Sequence, residues 1–253
     1  MTNHPAYQVY RLCSAQQATE SMRLMVFDQE LCAQPGQFVM TWLPGVGEKP
    51  LCVASDQPFA LAVAAVGHFS QALHKLQPGE RVWVRGPYGI GFSLQGKTHV
   101  LVGGGYGAAP LLFLARLARA QEQNVVICLG ARTSADLLMT EKFEALGCRV
   151  IKTTQDGSAG IRGLVTAALR VALEEIQADC VYACGPVPML SAVAQLCRQY
   201  DMPAQLSYEA LMRCGIGLCG SCELEVDVRQ AAGIPAGWLT CKDGPVFFFD
   251  PGV

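Results

Sequence analysis

The chain has 253 residues, 51% of them hydrophobic and 16% charged, with a net charge of −2. That is enough apolar material for two domains, or one large one with a small appendix, and the lack of basic excess argues against nucleic acid as the main partner. Residues 1–12 carry no apolar signal-peptide core, and the longest uninterrupted apolar run, 59–66, is strand-sized and far short of a membrane span. A soluble, cytoplasmic protein with no membrane partner is expected.

Residues 1–95 read as short strands separated by Gly and Pro turns, at 7–13, 21–26, 37–43, 61–66 and 81–85, with one helical stretch at 70–76. Closely spaced short strands favour a small antiparallel barrel. Near residue 97 the rhythm changes. Strands are expected at 98–102, 124–129, 148–153, 179–183 and, last, 205–208, alternating with helices at 109–121, 135–146, 163–173 and 188–200. Such alternation predicts a doubly wound parallel α/β sheet over 96–206.

The remainder, 207–253, is dominated by Cys214-Gly-Ile-Gly-Leu-Cys219-Gly-Ser-Cys222, answered later by a lone Cys241. Thiolates at C-x4-C-x2-C…C are the plant-type ligand spacing of a 2Fe–2S cluster. Glycines at 215, 217 and 220 let the backbone wrap a compact group without Cβ atoms in the way. A structural zinc is the competitor, but zinc sites usually offer two short pairs, whereas here a triplet faces a single Cys. Cys128, Cys148 and Cys180 lie in or beside strand-like runs, where free Cys acts as a small hydrophobe; Cys13, Cys32 and Cys197 carry no local signal. That usage fits a reducing compartment.

Two glycine turns follow predicted strands and open predicted helices. Gly103-Gly104-Gly105-Tyr106-Gly107-Ala-Ala-Pro110 offers backbone amides at a helix N-terminus, where a pyrophosphate is favoured, although Pro110 stands at the last small position of the G-x-G-x-x-G pattern. Cys184-Gly185-Pro186 is the second, as a crevice-bound ligand requires. Cys184 is either a buried spectator or a neighbour of a nicotinamide. Thr153–Ser158 is a polar strand-end loop, facing the same crevice or simply solvated. In the first half, Lys49–Cys52 and Gly67–Ser70 are candidates for a flavin, with a surface lysine and a routine turn as the plain alternatives. The segment 86–92 closes the barrel or serves as a linker. The histidines, at 4, 68, 74 and 99, form no catalytic or metal constellation, so hydrolysis has no support.

The segments GPYGIGF, VGGGYGAAP, TTQDGSAGIRGLVT and YACGPVPML resemble the ferredoxin–NADP reductase superfamily over nearly the whole chain. Glu209–Cys222 with 241–247 is similar to the electron-transfer subunit of class 1B dihydroorotate dehydrogenases. The resemblance implies an FAD-binding barrel (1–95), an NAD(H)-binding domain (96–206) and a 2Fe–2S domain (207–253), with the cluster on Cys214, Cys219, Cys222 and Cys241. It further implies an FMN-containing catalytic subunit as partner, which oxidises dihydroorotate to orotate, in an α2β2 assembly. Within that family flavin contacts fall on an Arg-Pro-Ile/Leu-Ser segment, here Lys49, Pro50, Leu51 and Cys52. Lys cannot reproduce the Arg fork and Cys is a poorer donor than Ser. Further contacts correspond to Ala62, Val63 and Ala64, where an Arg is often found, and to Gly67, Phe69 and Ser70, where the usual Gly-Thr reads Phe-Ser. Tyr106 replaces an aliphatic residue.

The expected chemistry converts between electron pairs, carried as a hydride, and single electrons, with no general acid or base required of the protein. The chain is expected not to return to the barrel with a terminal aromatic, and Phe247, Phe248 and Phe249 to form a local core around the cluster or part of a docking patch. Two other readings are an NAD(P)H-oxidising subunit of a soluble hydrogenase or ferredoxin-linked transhydrogenase, and, from another class, a non-redox zinc-binding module.

Overall fold

The structure is a computed structural model that describes residues 6–251; His4 lies outside the described residues. Six strands close into an antiparallel barrel: β1 (Gln8–Thr19), β2 (Met22–Phe27), β3 (Phe38–Leu43), β4 (Gly47–Asp56), β5 (Phe59–Ala64) and β6 (Arg81–Tyr88), ordered β1-β2-β5-β4-β3-β6. Closure leaves no free edge, and alternate side chains fill the interior. Tyr10, Phe27, Phe59, Val63 and Val82 are buried there, with the Phe27 and Phe59 rings stacked 5.0 Å apart. Only β4 is absent from the sequence expectation. Its Pro50 and charged first half hide a strand whose pairing with β3 runs from Phe38–Cys52 to Leu43–Gly47. The helix of this half, α1 (His68–His74), begins two residues earlier than expected.

The second half contains β7 (Thr98–Gly104), α2 (Ala108–Ala120), β8 (Asn124–Ala131), α3 (Thr140–Ala145), β9 (Arg149–Thr154), β10 (Ile161–Arg162) and α4 (Val165–Glu175). After these come β11 (Cys180–Cys184), α5 (Val187–Gln199), β12 (Ala204–Ser207), α6 (Val226–Ala232) and β13 (Val246–Phe249). The sheet order is β10-β9-β8-β7-β11-β12-β13, parallel as far as β12. Two expectations are corrected. The helix read over 135–146 is split, because Met139 adopts a left-handed φ of 60° and α3 starts only at Thr140. The strand at β12 is not the last: beyond the cysteine loop, β13 pairs antiparallel with β12. Phe249 is buried in the core of this sheet while Phe248 is half exposed, so the Phe247–Phe249 run is a sheet edge and not a core around the cysteines.

Helix α2 ties the halves together. Phe113 reaches the barrel core while Leu111, Leu112 and Leu114 pack under the parallel sheet. A helix buried on nearly every side of its first turns holds barrel and sheet in one fixed relation.

At the carboxyl ends of β7 and β11 the two glycine turns touch. A Cβ on Gly107 would overlap the carbonyl of Cys184, and one on Gly185 would lie 2.6 Å from Met189 Cε and 3.3 Å from Gly104 Cα. Gly107 has an ordinary right-handed φ of −61°, so its need for glycine is purely steric. Replacing Gly107 by Ala should therefore destabilise the chain by about 1–3 kcal/mol, the usual range for overpacking. Thermal unfolding followed by circular dichroism should show a clear fall in melting temperature; an unchanged value would contradict this packing.

Candidate functional site

The strand order reverses between β7 and β11: from β7 the chain moves through α2 to β8 on one side, while β11 lies on the other. Open parallel sheets bind ligands in the crevice outside such a switch point. A cavity of about 520 Å³ opens there, between the sheet and the barrel, within the ~300–1,000 Å³ typical of ligand sites.

The barrel wall of the cavity carries Lys49, Pro50, Leu51 and Cys52 from β4, and Ala62 and Ala64 from β5. Val63, between those alanines, turns its side chain into the barrel core, as strand alternation requires. Gly67, Phe69 and Ser70 form the next part of the wall. The Ser70 hydroxyl accepts the amides of Val66 and Gly67 and donates to the Gly67 carbonyl, each at 3.0 Å, so it shapes the turn into α1. A Cβ at Gly67 would meet nothing within 4 Å, which leaves its backbone open to a ligand.

The sheet side contributes Gly107, Ala109, Pro110 and Cys184. Gly103, Gly104, Gly185 and Pro186 lie behind this wall as packing positions: a Cβ on Gly104 would stand 2.5 Å from Met189 Sδ and 3.2 Å from Pro186. Gly105, by contrast, has open space around it. The expected set thus divides into glycines that let the two turns cross and glycines that leave room for a guest.

A polar group crosses the mouth of the cavity. Tyr106 donates its hydroxyl to Glu209 at 3.1 Å. Desolvation by the crevice walls raises the Glu209 carboxyl above its usual range although the residue keeps an exposed edge, and it pushes the Cys52 thiol up to about 12, with the Glu209 charge adding to the latter. Burial, with Cys52 and Glu209 nearby, raises Cys184 well above an ordinary thiol. Both thiols are therefore held neutral, and neither has the character of an activated nucleophile. Tyr208 borders the cavity, but its ring packs beside Trp238 in the core of the sheet, and its hydroxyl has no partner among the described residues. Two neutral thiols and mostly apolar walls fit a large aromatic cofactor with a few polar edges.

Glu209 and Met212 lie inside the 209–222 segment and Pro245 inside 241–247 without a role of their own expected for them, and Phe38 and Tyr208 lie outside both; all five line the cavity. They come from three separate stretches, 38, 208–212 and 245, and no local pattern marks them as one site.

The cysteine loop abuts this crevice. Cys222 and Cys241 are buried with their sulfurs 3.3 Å apart, and the Gly217 amide donates to Cys241 Sγ at 3.1 Å. Cys214 and Cys219 are neighbours in turn. The four sulfurs thus sort into two pairs, Cys222 with Cys241 and Cys214 with Cys219. Two pairs are what two sulfide-bridged irons need. Gly215 and Gly217 take left-handed φ values of 73° and 79°, which turns the loop inward. The Ser221 hydroxyl and neighbouring amides draw exposed Cys219 down to about 6, while burial pushes Cys241 up to about 12, a thiol that a bound cation would deprotonate. Phe38, Met40 and Met212 pack on Cys222 and Cys241.

Among the described residues no helix is long and apolar enough to cross a membrane. Residues 101–195 match the oxidoreductase NAD-binding domain family, and residues 209–250 match the iron–sulfur cluster binding domain of dihydroorotate dehydrogenase B. The chain is 39% identical over 241 residues to a protein of Thermococcus kodakarensis named as a probable dihydroorotate dehydrogenase B (NAD(+)), electron transfer subunit; the match covers 95% of this chain and 96% of the relative. Likewise named proteins of Pyrococcus abyssi and Methanocaldococcus jannaschii are 41% and 38% identical, each over 91% of this chain and 85% of the relative. Among solved structures, that of an NADH-dependent reduced ferredoxin-NADP oxidoreductase superposes with a TM-score of 0.84 at 29% identity, covering 96% of this chain and 89% of that one. The ferredoxin reductase of carbazole 1,9a-dioxygenase, at 19% identity, a TM-score of 0.66 and coverage of 78% and 66%, shares the fold. The chain belongs to the family of dihydroorotate dehydrogenase B electron transfer subunits.

Proposed function

We propose that this chain passes electrons between an FMN-bearing catalytic subunit, which oxidises dihydroorotate to orotate, and NAD. Residues 1–95 hold FAD, 96–206 hold NAD(H) and 207–253 hold the 2Fe–2S cluster, and the assembly with the partner is α2β2. The observation that carries the reading is the shared wall: Phe38 and Met212 line the flavin-sized cavity and also pack against the cluster cysteines. When bound, the flavin converts between hydride and single electrons, and the cluster relays those electrons one at a time.

The roles of the residues follow from their positions. Lys49 to Cys52, Ala62 to Ala64, and Gly67, Phe69 and Ser70 hold the flavin. Gly103, Gly104, Gly105 and Gly107, with Cys184, Gly185 and Pro186, set the nucleotide turn. Cys214, Cys219, Cys222 and Cys241 hold the irons. The protein's work is to bind, orient and exclude water; the protonated thiols of Cys52 and Cys184 present neutral, polarisable surfaces to the crevice.

The similarity to an NADH-dependent reduced ferredoxin-NADP oxidoreductase supports a second reading, in which the same cofactors serve a different redox partner. The lower identity of that match favours the first. Co-expression with neighbouring genes should pull down a partner containing FMN, and a partner with a second FAD or nickel would favour the alternative.

Two substitutions check the assignments. Cys219→Ser should lower iron content and abolish turnover with the partner while NADH oxidation by artificial two-electron acceptors continues; full transfer to the partner would count against the cluster. Gly67→Ala should leave the melting temperature of the flavin-stripped chain within error, because its Cβ meets nothing. Flavin binding, measured by fluorescence quenching, should weaken at least severalfold, and unchanged affinity would remove Gly67 from the site.

A further inference from the structure

Arg85 sits on the barrel yet touches the cysteine loop. Its guanidinium makes a fork to Glu48: Nε donates to Oε1 at 2.6 Å and Nη2 to Oε2 at 2.9 Å. The side chains are only 15% and 20% exposed. The Tyr7 hydroxyl donates to the same Glu48 Oε1 at 2.6 Å, and the guanidinium carbon lies 5.8 Å and 5.6 Å from the ring centroids of Tyr7 and Tyr88. A guanidinium committed this way has its rotamer and plane fixed. The remaining nitrogen, Nη1, donates to the backbone carbonyl of Cys214 at 2.9 Å.

The next residue of the loop is held by Arg85's cross-strand neighbour. Arg85 and Met40 are paired across β6 and β3, and Gly215 rests so closely on Met40 that a Cβ there would stand 2.8 Å from Met40 Cγ. One rigid patch of barrel thus fixes both the first cysteine and the glycine after it. The polarity of the patch is also fixed. The Arg85 cation faces the loop and the Glu48 anion lies on the far side of it, held ionised by hydrogen bonds from Arg85 and Tyr7 that outweigh its burial. A second cation, Lys242, packs along Gly217 but is exposed, where water screens it.

We propose that Arg85 is a positioning residue for the cluster, pinning Cys214 to the barrel, and that the oriented Arg85–Glu48 pair sets the field in which the cluster accepts an electron. The proposal rests on the cluster assignment above. Reduction adds negative charge to the cluster, so a fixed cation close by favours it and a fixed anion opposes it. Removing each partner in turn must then move the reduction potential in opposite directions, which a purely structural contact would not do.

The test uses the full chain, reconstituted anaerobically, with iron content and the cluster's midpoint potential read by electron paramagnetic resonance in a mediated titration. Arg85→Gln, which leaves Glu48 unpaired, should lower the potential. Glu48→Gln, which leaves the Arg85 charge uncompensated, should raise it. Each shift should be at least tenfold in the reduction equilibrium, or 59 mV for a one-electron couple. Arg85→Lys, which keeps the charge and loses the fork, should fall between wild type and Arg85→Gln, and Lys242→Gln should move the potential less than either. Shifts of the same sign in Arg85→Gln and Glu48→Gln, or none in iron-replete protein, would overturn the proposal. Should Arg85→Gln fail to load iron, the Glu48→Gln shift decides alone: upward supports the proposal, and unchanged or downward overturns it. Wild-type protein that takes up no iron would instead refute the cluster assignment on which the proposal rests.

Discussion

A single layer of side chains separates the cysteine loop from the crevice. Phe38 on β3 and Met212 just before the loop have one surface in the cavity and the other against Cys222 and Cys241. Interiors pack at crystal-like density, so this layer leaves no room for the loop to drift away from the barrel. The arrangement of the other parts follows from it. The loop must leave the sheet after β12, cross to the barrel wall, and return as β13 beside the strand it left. That return pins both ends of the loop to the parallel sheet while its middle rests on β3 and β6. The cluster segment is thereby bound into the other two parts at three points.

The same logic governs the crevice. Its two walls come from different halves of the chain, and α2 holds them at a fixed spacing by placing Phe113 in one core and its leucines in the other. The glycine turns then do two kinds of work. Gly104, Gly107 and Gly185 let the turns after β7 and β11 cross at backbone distance, while Gly67 and Gly105 leave space unfilled. A sequence motif lists all five alike, and only the neighbours distinguish packing from access. The thiols of Cys52 and Cys184 belong to the same division. Cys184 is buried and Cys52 half-buried, and both are neutral, so the pocket presents them as soft surfaces and not as nucleophiles.

Much of this was legible in the residues because the signals were local. The cysteine spacing, the strand–glycine–helix punctuation at 103–107 and 184–186, and the switch from short strands to strand-helix alternation near 97 each reflect a constraint acting within about ten residues. What escaped was set by distant partners. β4 carries Pro50 and Lys49 in a strand that only its pairing with β3 and β5 makes regular. β13 is a valine and three phenylalanines after Gly-Pro, a run whose periodicity fits neither helix nor strand, and its pairing with β12 decides the matter. Met139 adopts a left-handed conformation that its residue type does not favour, so the break before α3 had no sequence marker. Arg85 is the clearest instance: a charged residue in a strand reads as a solvated side chain until the fold brings Glu48 and Cys214 to it.

The proposed function requires one continuous route from nicotinamide to cluster within this chain. Its most direct test is an anaerobic titration of the purified protein with NADH, followed by visible absorbance and electron paramagnetic resonance. It predicts bleaching of a flavin band together with the appearance of the rhombic signal of a reduced 2Fe–2S centre, without any partner present. A flavin that bleaches while the iron remains silent at every NADH concentration, and becomes reduced only with dithionite, would contradict it.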